Sequence, residues 1–239
     1  HGKTCRSEPG GGLLTAPAGP GLAWDLVHEP AYRAALAHSD LVLTDSGFLV
    51  LLWWLRSGRR LPRHSGLKFL RAWLQQDVMR RPGAVRWVMP GPEDLQRTQA
   101  WLRAHGYPVA DDTFEVASFY GAGPIADPGL AARIERQRPD VVYLGIGGGV
   151  QERLGHYLRG QLSYRPAILC LGAALAFLTG AQVHIPPWVD RAGLGWLWRI
   201  GADPEAHSPR YIRAALLAFL VARYGSEAPP DKLMSPRRH

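Results

Sequence analysis

The chain has 239 residues, 46% of them hydrophobic and 20% charged, with 28 Lys and Arg against 20 Asp and Glu. That length and composition bury enough apolar surface for one compact domain and exclude disorder for the bulk of the chain. Two cysteines, Cys5 and Cys170, exclude a disulfide framework and a four-cysteine zinc site, and point to a reducing compartment. The net charge of +8 asks for an anionic partner without choosing among nucleotide, nucleic acid and membrane surface.

Residues 1–12 are polar and glycine-rich and carry no apolar run of a secretory signal. Strand-like runs are predicted at 40–44, 85–89, 113–118, 141–145 and 167–171. Helical patterns are predicted over 47–57, 66–78, 92–105, 128–137, 150–159 and 173–179. Pro92-Glu93-Asp94 marks a helix start, and Gly106 and Gly160 mark helix ends. Alternation of this kind predicts an α/β fold, a Rossmann-like, mostly parallel sheet with helices on both faces. The apolar stretch 47–55 is too short for a membrane span. Stretch 167–183 reads as a buried strand turning at Gly172 into a buried helix, and 211–224 carries Arg213 and Arg223. After Gly201 a single helix is predicted over 209–224, followed by a Pro-rich basic tail. The expected division is a main domain at 12–200, a C-terminal helical appendage at 201–226 and a mobile tail at 227–239.

The charge excess is local. Residues 56–86 hold nine basic residues and one acid, a net +8 that equals the charge of the whole chain. Arg56, Arg59, Arg60, Arg63, Lys68, Arg71, Arg80, Arg81 and Arg86 surround an amphipathic pattern of Leu67, Leu70, Trp73 and Leu74. A solvated basic face and a phosphate or membrane patch both fit. Nucleic acid is not expected, because Trp73 and Trp87 are the segment's whole stacking platform.

Ligands of such sheets bind outside the carboxyl ends of the strands. One loaded end is Leu43-Thr44-Asp45-Ser46-Gly47, a carboxylate before an apolar helix. The other is Gly145-Ile146-Gly147-Gly148-Gly149-Val150-Gln151-Glu152, whose bare amides lead into a helix start suited to phosphate. The dinucleotide fingerprint fails, since Val150 stands at its third glycine and no acid follows about 20 residues on. No metal site is expected: His38, His156, His184 and His207 lack paired spacing, and Asp111-Asp112 lacks D-x-D spacing. Ser46 lacks a G-x-S-x-G elbow, and Cys170 reads as a core residue.

Taken in order, several segments resemble the WecG/TagA/CpsF glycosyltransferases, glycosyltransferase family 26, over residues 12–213. Asp45-Ser46-Gly47 resembles D-G-x-G, and Arg63-His64-Ser65-Gly66-Leu67 resembles R-x-x-G. The run 145–152 is similar to G-x-G-x-P-K-Q-E, with Gly149 and Val150 replacing Pro and Lys. The stretch 180–188 resembles the approach to R-A-P-x-W with His184 at the arginine, and 194–199 resembles G-L-E-W-x-x-R with Gly195 at the glutamate and Arg199 at the end. Thr15 is the nearest match to the threonine of T-x-N, where Pro17 takes the asparagine's place; the chain has no asparagine.

The resemblance implies an inverting, metal-independent hexosyltransferase for cell-surface polysaccharide, with no cofactor beyond its UDP-sugar donor. The transferred sugar is N-acetylmannosamine-type or another hexose, the acceptor polyprenyl-diphosphate-linked, and 12–200 the catalytic domain. It implies a cytoplasmic protein held peripherally at the inner face of the cell membrane, and leaves a homo-oligomer open. The catalytic set carried over is Asp45, Arg63 and Thr15; the nucleotide set is Gly66, Gly147, Gly149, Gln151 and Glu152. His184, Arg199, Arg210 and Arg213 form the acceptor and membrane set. A strand-end Asp45 suits the base that deprotonates an acceptor hydroxyl, and Arg63 the cation that meets the departing diphosphate. On the C-terminal helix, Leu216, Leu217, Phe219 and Leu220 form an apolar stripe that suits either an anionic interface or the core. The motif departures keep a non-catalytic sugar-nucleotide or lipid-binding module as the alternative.

Overall fold

The structure, a computed structural model, describes residues 11–17, 19–172, 174–181, 189, 198, 201 and 214–227. Six strands form one parallel sheet: β1 (Leu13–Thr15), β2 (Leu41–Val42), β3 (Val85–Met89), β4 (Phe114–Val116), β5 (Val141–Leu144) and β6 (Ala167–Cys170), in the order β2-β1-β6-β5-β3-β4. The helices are α1 (Gly19–His28), α2 (Pro30–Ala37), α3 (Gly47–Ser57), α4 (Gly66–Leu74), α5 (Pro92–Ala104), α6 (Pro128–Gln137), α7 (Val150–Gln161), α8 (Ala174–Leu178) and α9 (Ala214–Tyr224).

Alternate residues of β1, β3, β5 and β6 supply the two cores, as the two-residue period of a strand requires. Leu14, Val85, Trp87, Tyr143 and Leu169 meet Leu70 and Leu74 of α4, Leu102 of α5 and Leu175 of α8. Leu13, Val88, Val142, Leu144 and Ile168 meet Leu130 and Ile134 of α6 and Leu154 and Leu158 of α7. Helix α7 comes close because Gly155 has no side chain: a Cβ there would lie 2.8 Å from Leu13 Cδ1 and 2.9 Å from Cys170 Sγ. A third cluster joins α1, α2 and α9 through Leu22, Val27, Tyr32, Leu217 and Leu220, with Phe48 and Leu52 of α3 against it.

The α/β expectation holds, with differences at the edges. The sequence pattern did not reveal β1, three residues long and followed by Pro17, nor the helices α1 and α2 behind it. The predicted strand 40–44 shrinks to the exposed edge pair Leu41–Val42, and the predicted helix 66–78 ends at Leu74 before a 3-10 turn at Asp77–Arg80. On α9, Leu217 and Leu220 are buried against the body of the protein while Phe219 stays half exposed, so core packing takes two members of the predicted interfacial stripe.

The basic segment does not form one patch. Arg86 is buried at the start of β3, where it donates to Glu115 and, at 2.8 Å, to Gln137. Glu115 also accepts from Arg133, so one carboxylate serves two guanidinium groups. Arg81 pairs with Asp140 at 2.9 Å, Arg80 lies 4.8 Å over Tyr107, and Arg56 donates to the Ala222 carbonyl of α9. Removing the shared carboxylate leaves Arg86 buried without its counter-charge. Glu115→Ala is therefore expected to cost about 2 kcal/mol in urea unfolding, and an unchanged midpoint would refute this.

Candidate active site

Strand β2 delivers Asp45 to the carboxyl end of the sheet. Leu43 N–H donates to Thr15 O at 2.8 Å, continuing the β1 pairing one residue further, and Asp45 N–H then turns back to Leu43 O at 3.0 Å. Ser46 caps α3, its hydroxyl accepting from Leu49 N–H at 3.1 Å. The serine at the second position of D-G-x-G thus has a local reason: it satisfies one of the free amides of the helix start.

The 62–66 segment folds back along this turn. Thr44 donates its hydroxyl to Pro62 O at 2.5 Å, His64 N–H donates to Thr44 O at 3.2 Å, and Arg63 Nε donates to the Asp45 backbone carbonyl at 3.1 Å. Gly66, at the start of α4, stands where β1, β6 and Asp45 meet. A Cβ on it would lie 3.4 Å from Ala16 Cβ, 3.5 Å from Asp45 Oδ2 and 3.8 Å from Leu171 O. The predicted residues Asp45, Arg63 and Gly66 therefore share one corner. Thr15 lies beside it at the end of β1, but is fully buried, with its hydroxyl 3.3 Å from that of Ser39. In this structure it supports the strand end from inside and offers no open hydroxyl.

The glycine turn lies across β6 from this corner. Gly147 has φ of +99° and Gly149 of +85°, conformations that favour glycine. Positions 147 and 148 face open space, whereas a Cβ at Gly149 would lie 2.7 Å from Asp25 Oδ2 of α1. The predicted nucleotide-binding side chains Gln151 and Glu152 point inward and are essentially fully buried. Glu152 accepts from Gly149 N–H at 2.7 Å and from Gln151 Nε2 at 3.0 Å. Gln151 Oε1 accepts from Gly172 N–H at 2.8 Å, tying the turn after β5 to the turn after β6. These two side chains hold the shape of the turn, and what it presents outward is the backbone of Gly147 and Gly148.

Burial pushes the Glu152 carboxyl up to about 7, with Asp25 adding to the rise. Burial also raises the Tyr32 hydroxyl, beside Glu152, and the Cys170 thiol. Among the described residues no three or more His, Cys, Asp and Glu side chains gather as a metal site, and no helix is long and apolar enough to cross a membrane. His184, Arg199, Arg210 and Arg213 lie outside the described residues. The sequence pattern missed Asp25 and Arg153, which border the glycine turn, and Glu29, which meets Arg153. Glu29-Pro30, a helix-start signal of an acid before Pro, was the one local cue to this region.

The family model described as the glycosyl transferase WecG/TagA/CpsF family matches residues 6–229. The N-acetylglucosaminyldiphosphoundecaprenol N-acetyl-beta-D-mannosaminyltransferase of Bacillus subtilis (strain 168) is 23% identical over 194 residues, covering 81% of this chain and 73% of the relative. With the parallel sheet, the strand-end carboxylate and the glycine turn in the order that the family's motifs require, the chain belongs to the WecG/TagA/CpsF glycosyltransferase family.

Proposed function

We propose that this protein is an inverting transferase that moves a hexose, N-acetylmannosamine-type or another, from a UDP-sugar to a polyprenyl-diphosphate-linked saccharide. The observation that carries the reading is the Asp45 carboxylate beside the bare face of Gly66, at the joined carboxyl ends of β1, β2 and β6. The B. subtilis relative, by its name, uses an acceptor of this class and transfers N-acetylmannosamine.

In the proposed step Asp45 takes the proton of the acceptor hydroxyl as that oxygen attacks the anomeric carbon. The bond from that carbon to the diphosphate breaks on the opposite face, and UDP leaves with the electron pair. One displacement inverts the anomeric centre. Arg63 meets the charge that grows on the diphosphate, assisted by the open amides at Gly147 and Gly148. The transfer is proposed to need no metal, as the family resemblance implies. The acceptor's lipid anchor places the working protein peripherally on the inner face of the cell membrane.

Calorimetry with UDP, UDP-N-acetylmannosamine, UDP-glucose and UDP-galactose tests the donor class. Binding of UDP and at least one UDP-sugar in the micromolar range is expected. Absence of binding to all four would overturn the proposal.

A further inference from the structure

Three consecutive side chains in the first turn of α7 reach three different loops. Gln151 holds Gly172 after β6, Glu152 holds Gly149 after β5, and Arg153 holds the loop after β4. The first two complete the turn described above. Arg153 belongs to none of the sequence motifs, yet its guanidinium is the widest link of the three.

Arg153 is 7% exposed. Its Nε donates to Gly149 O at 2.9 Å, and its Nη1 donates to Gly121 O at 2.9 Å and also to Gly123 O. The charge is met by Glu29 at 3.8 Å, and Glu29 in turn accepts from Gly123 N–H at 2.8 Å. One planar fork thus ties the glycine turn, the loop after β4 and the junction of α1 and α2. A lysine ammonium, a single point of charge, cannot span both carbonyl sets at once. The loop it holds carries Phe119, 99% exposed, and on its far side is secured by Tyr120 donating to Asp127 at 2.7 Å.

We propose that Arg153 is a positioning residue that sets the distance between the glycine turn and the loop after β4, and so presents the Gly147 and Gly148 amides to the diphosphate of the donor without touching it. The inference rests on the donor reading given above. Buried charge-assisted bonds of this kind lose their partners together when the arginine is removed, because the carbonyls and Glu29 share one group. The three carbonyls belong to the glycine turn and the loop after β4, so the consequence falls on these two loops before it falls on the sheet.

The test uses the full chain and its Arg153→Met and Arg153→Lys variants. Calorimetry with UDP and UDP-N-acetylmannosamine is expected to give about tenfold weaker dissociation constants in both variants at unchanged stoichiometry. Hydrogen exchange is expected to quicken in peptides covering 118–125 and 145–150 and to stay at wild-type rates over β3 and β5. A purely structural role would instead lower the binding-competent fraction while the dissociation constant stayed at its wild-type value, and that result overturns the inference. Wild-type exchange rates in both loops of the Met variant overturn it whatever the ligand. A wild-type protein that binds neither nucleotide overturns the donor reading, while the exchange experiment still decides whether the strap exists.

Discussion

Asp45→Asn is expected to lower transfer by a factor on the order of 10³ while leaving donor binding within about twofold of wild type. The substitution replaces the basic carboxylate oxygen with an amide at nearly constant size. Arg63 Nε is anchored on the backbone carbonyl of residue 45, and asparagine keeps that carbonyl. The turn is closed by the residue 45 amide on Leu43 O and by the Ser46 cap of α3, both independent of the side chain. Asparagine is also the size of aspartate, so the 3.5 Å approach to the Cβ position of Gly66 is preserved. Calorimetry gives the donor affinity and a radiolabelled-sugar assay gives turnover. Full activity in the variant would remove Asp45 from the role of base. Loss of donor binding together with activity would make it a binding group instead.

The second large effect is a pH dependence of stability that resides in Glu152. Its carboxyl is raised from the ordinary value of 4.5 to about 7 by burial. Between those values the folded protein keeps a proton that the unfolded chain has released. Stability must therefore fall as pH rises from about 4.5 to about 7, and the loss is complete above that range. Its size is on the order of 3 kcal/mol, since each pH unit of displacement is worth about 1.4 kcal/mol. Asp127 and Glu135 act in the opposite sense. The Leu130 amide and the Tyr120 hydroxyl lower Asp127 against its own burial, and the Ser163 hydroxyl and amide lower Glu135. Both persist in a Glu152→Gln variant and cancel when the two proteins are compared.

Urea unfolding at pH 5 and pH 8 therefore isolates the effect as a difference between wild type and variant. Glutamine mimics the protonated acid, keeping one acceptor for Gly149 N–H or Gln151 and gaining no charge. The variant is expected to gain on wild type by about 3 kcal/mol between pH 5 and pH 8. Parallel curves for the two proteins would show that Glu152 is ionised in the folded state throughout. The effect falls within the proposed site, because this carboxyl holds the Gly149 amide and with it the glycine turn.

The two halves of the candidate site were legible to different degrees. Asp45 and the glycine run stand out because each is a local signal: an acid or a glycine cluster directly after a β-branched run and directly before a helix. The inward placement of Gln151 and Glu152 was not legible. A helix N-terminus can present its first-turn side chains to a ligand or fold them back on its own amides, and the choice depends on β6 supplying Gly172 N–H as a partner. Arg63 was legible by its place in an R-x-x-G motif, but the dispersal of its basic neighbours was not. Arg86 occupies a strand position whose direction is set by the sheet, and Glu115, which meets it, is on the neighbouring strand β4.

The sequence by itself determined the alternation of strands and helices, the parallel sheet that alternation implies, and the two chemically loaded strand ends, because periodicity and turn chemistry act over a few residues. Tertiary structure alone decided that the three-residue β1 lies between β2 and β6, since so short a strand has no periodic signature and is defined by its neighbours. It also decided that Gly66 meets Asp45, that the first turn of α7 faces inward, and that Arg153 reaches a loop carbonyl 30 residues away in the chain. Each of these depends on contacts distant in sequence, whose geometry exists only once the sheet is assembled.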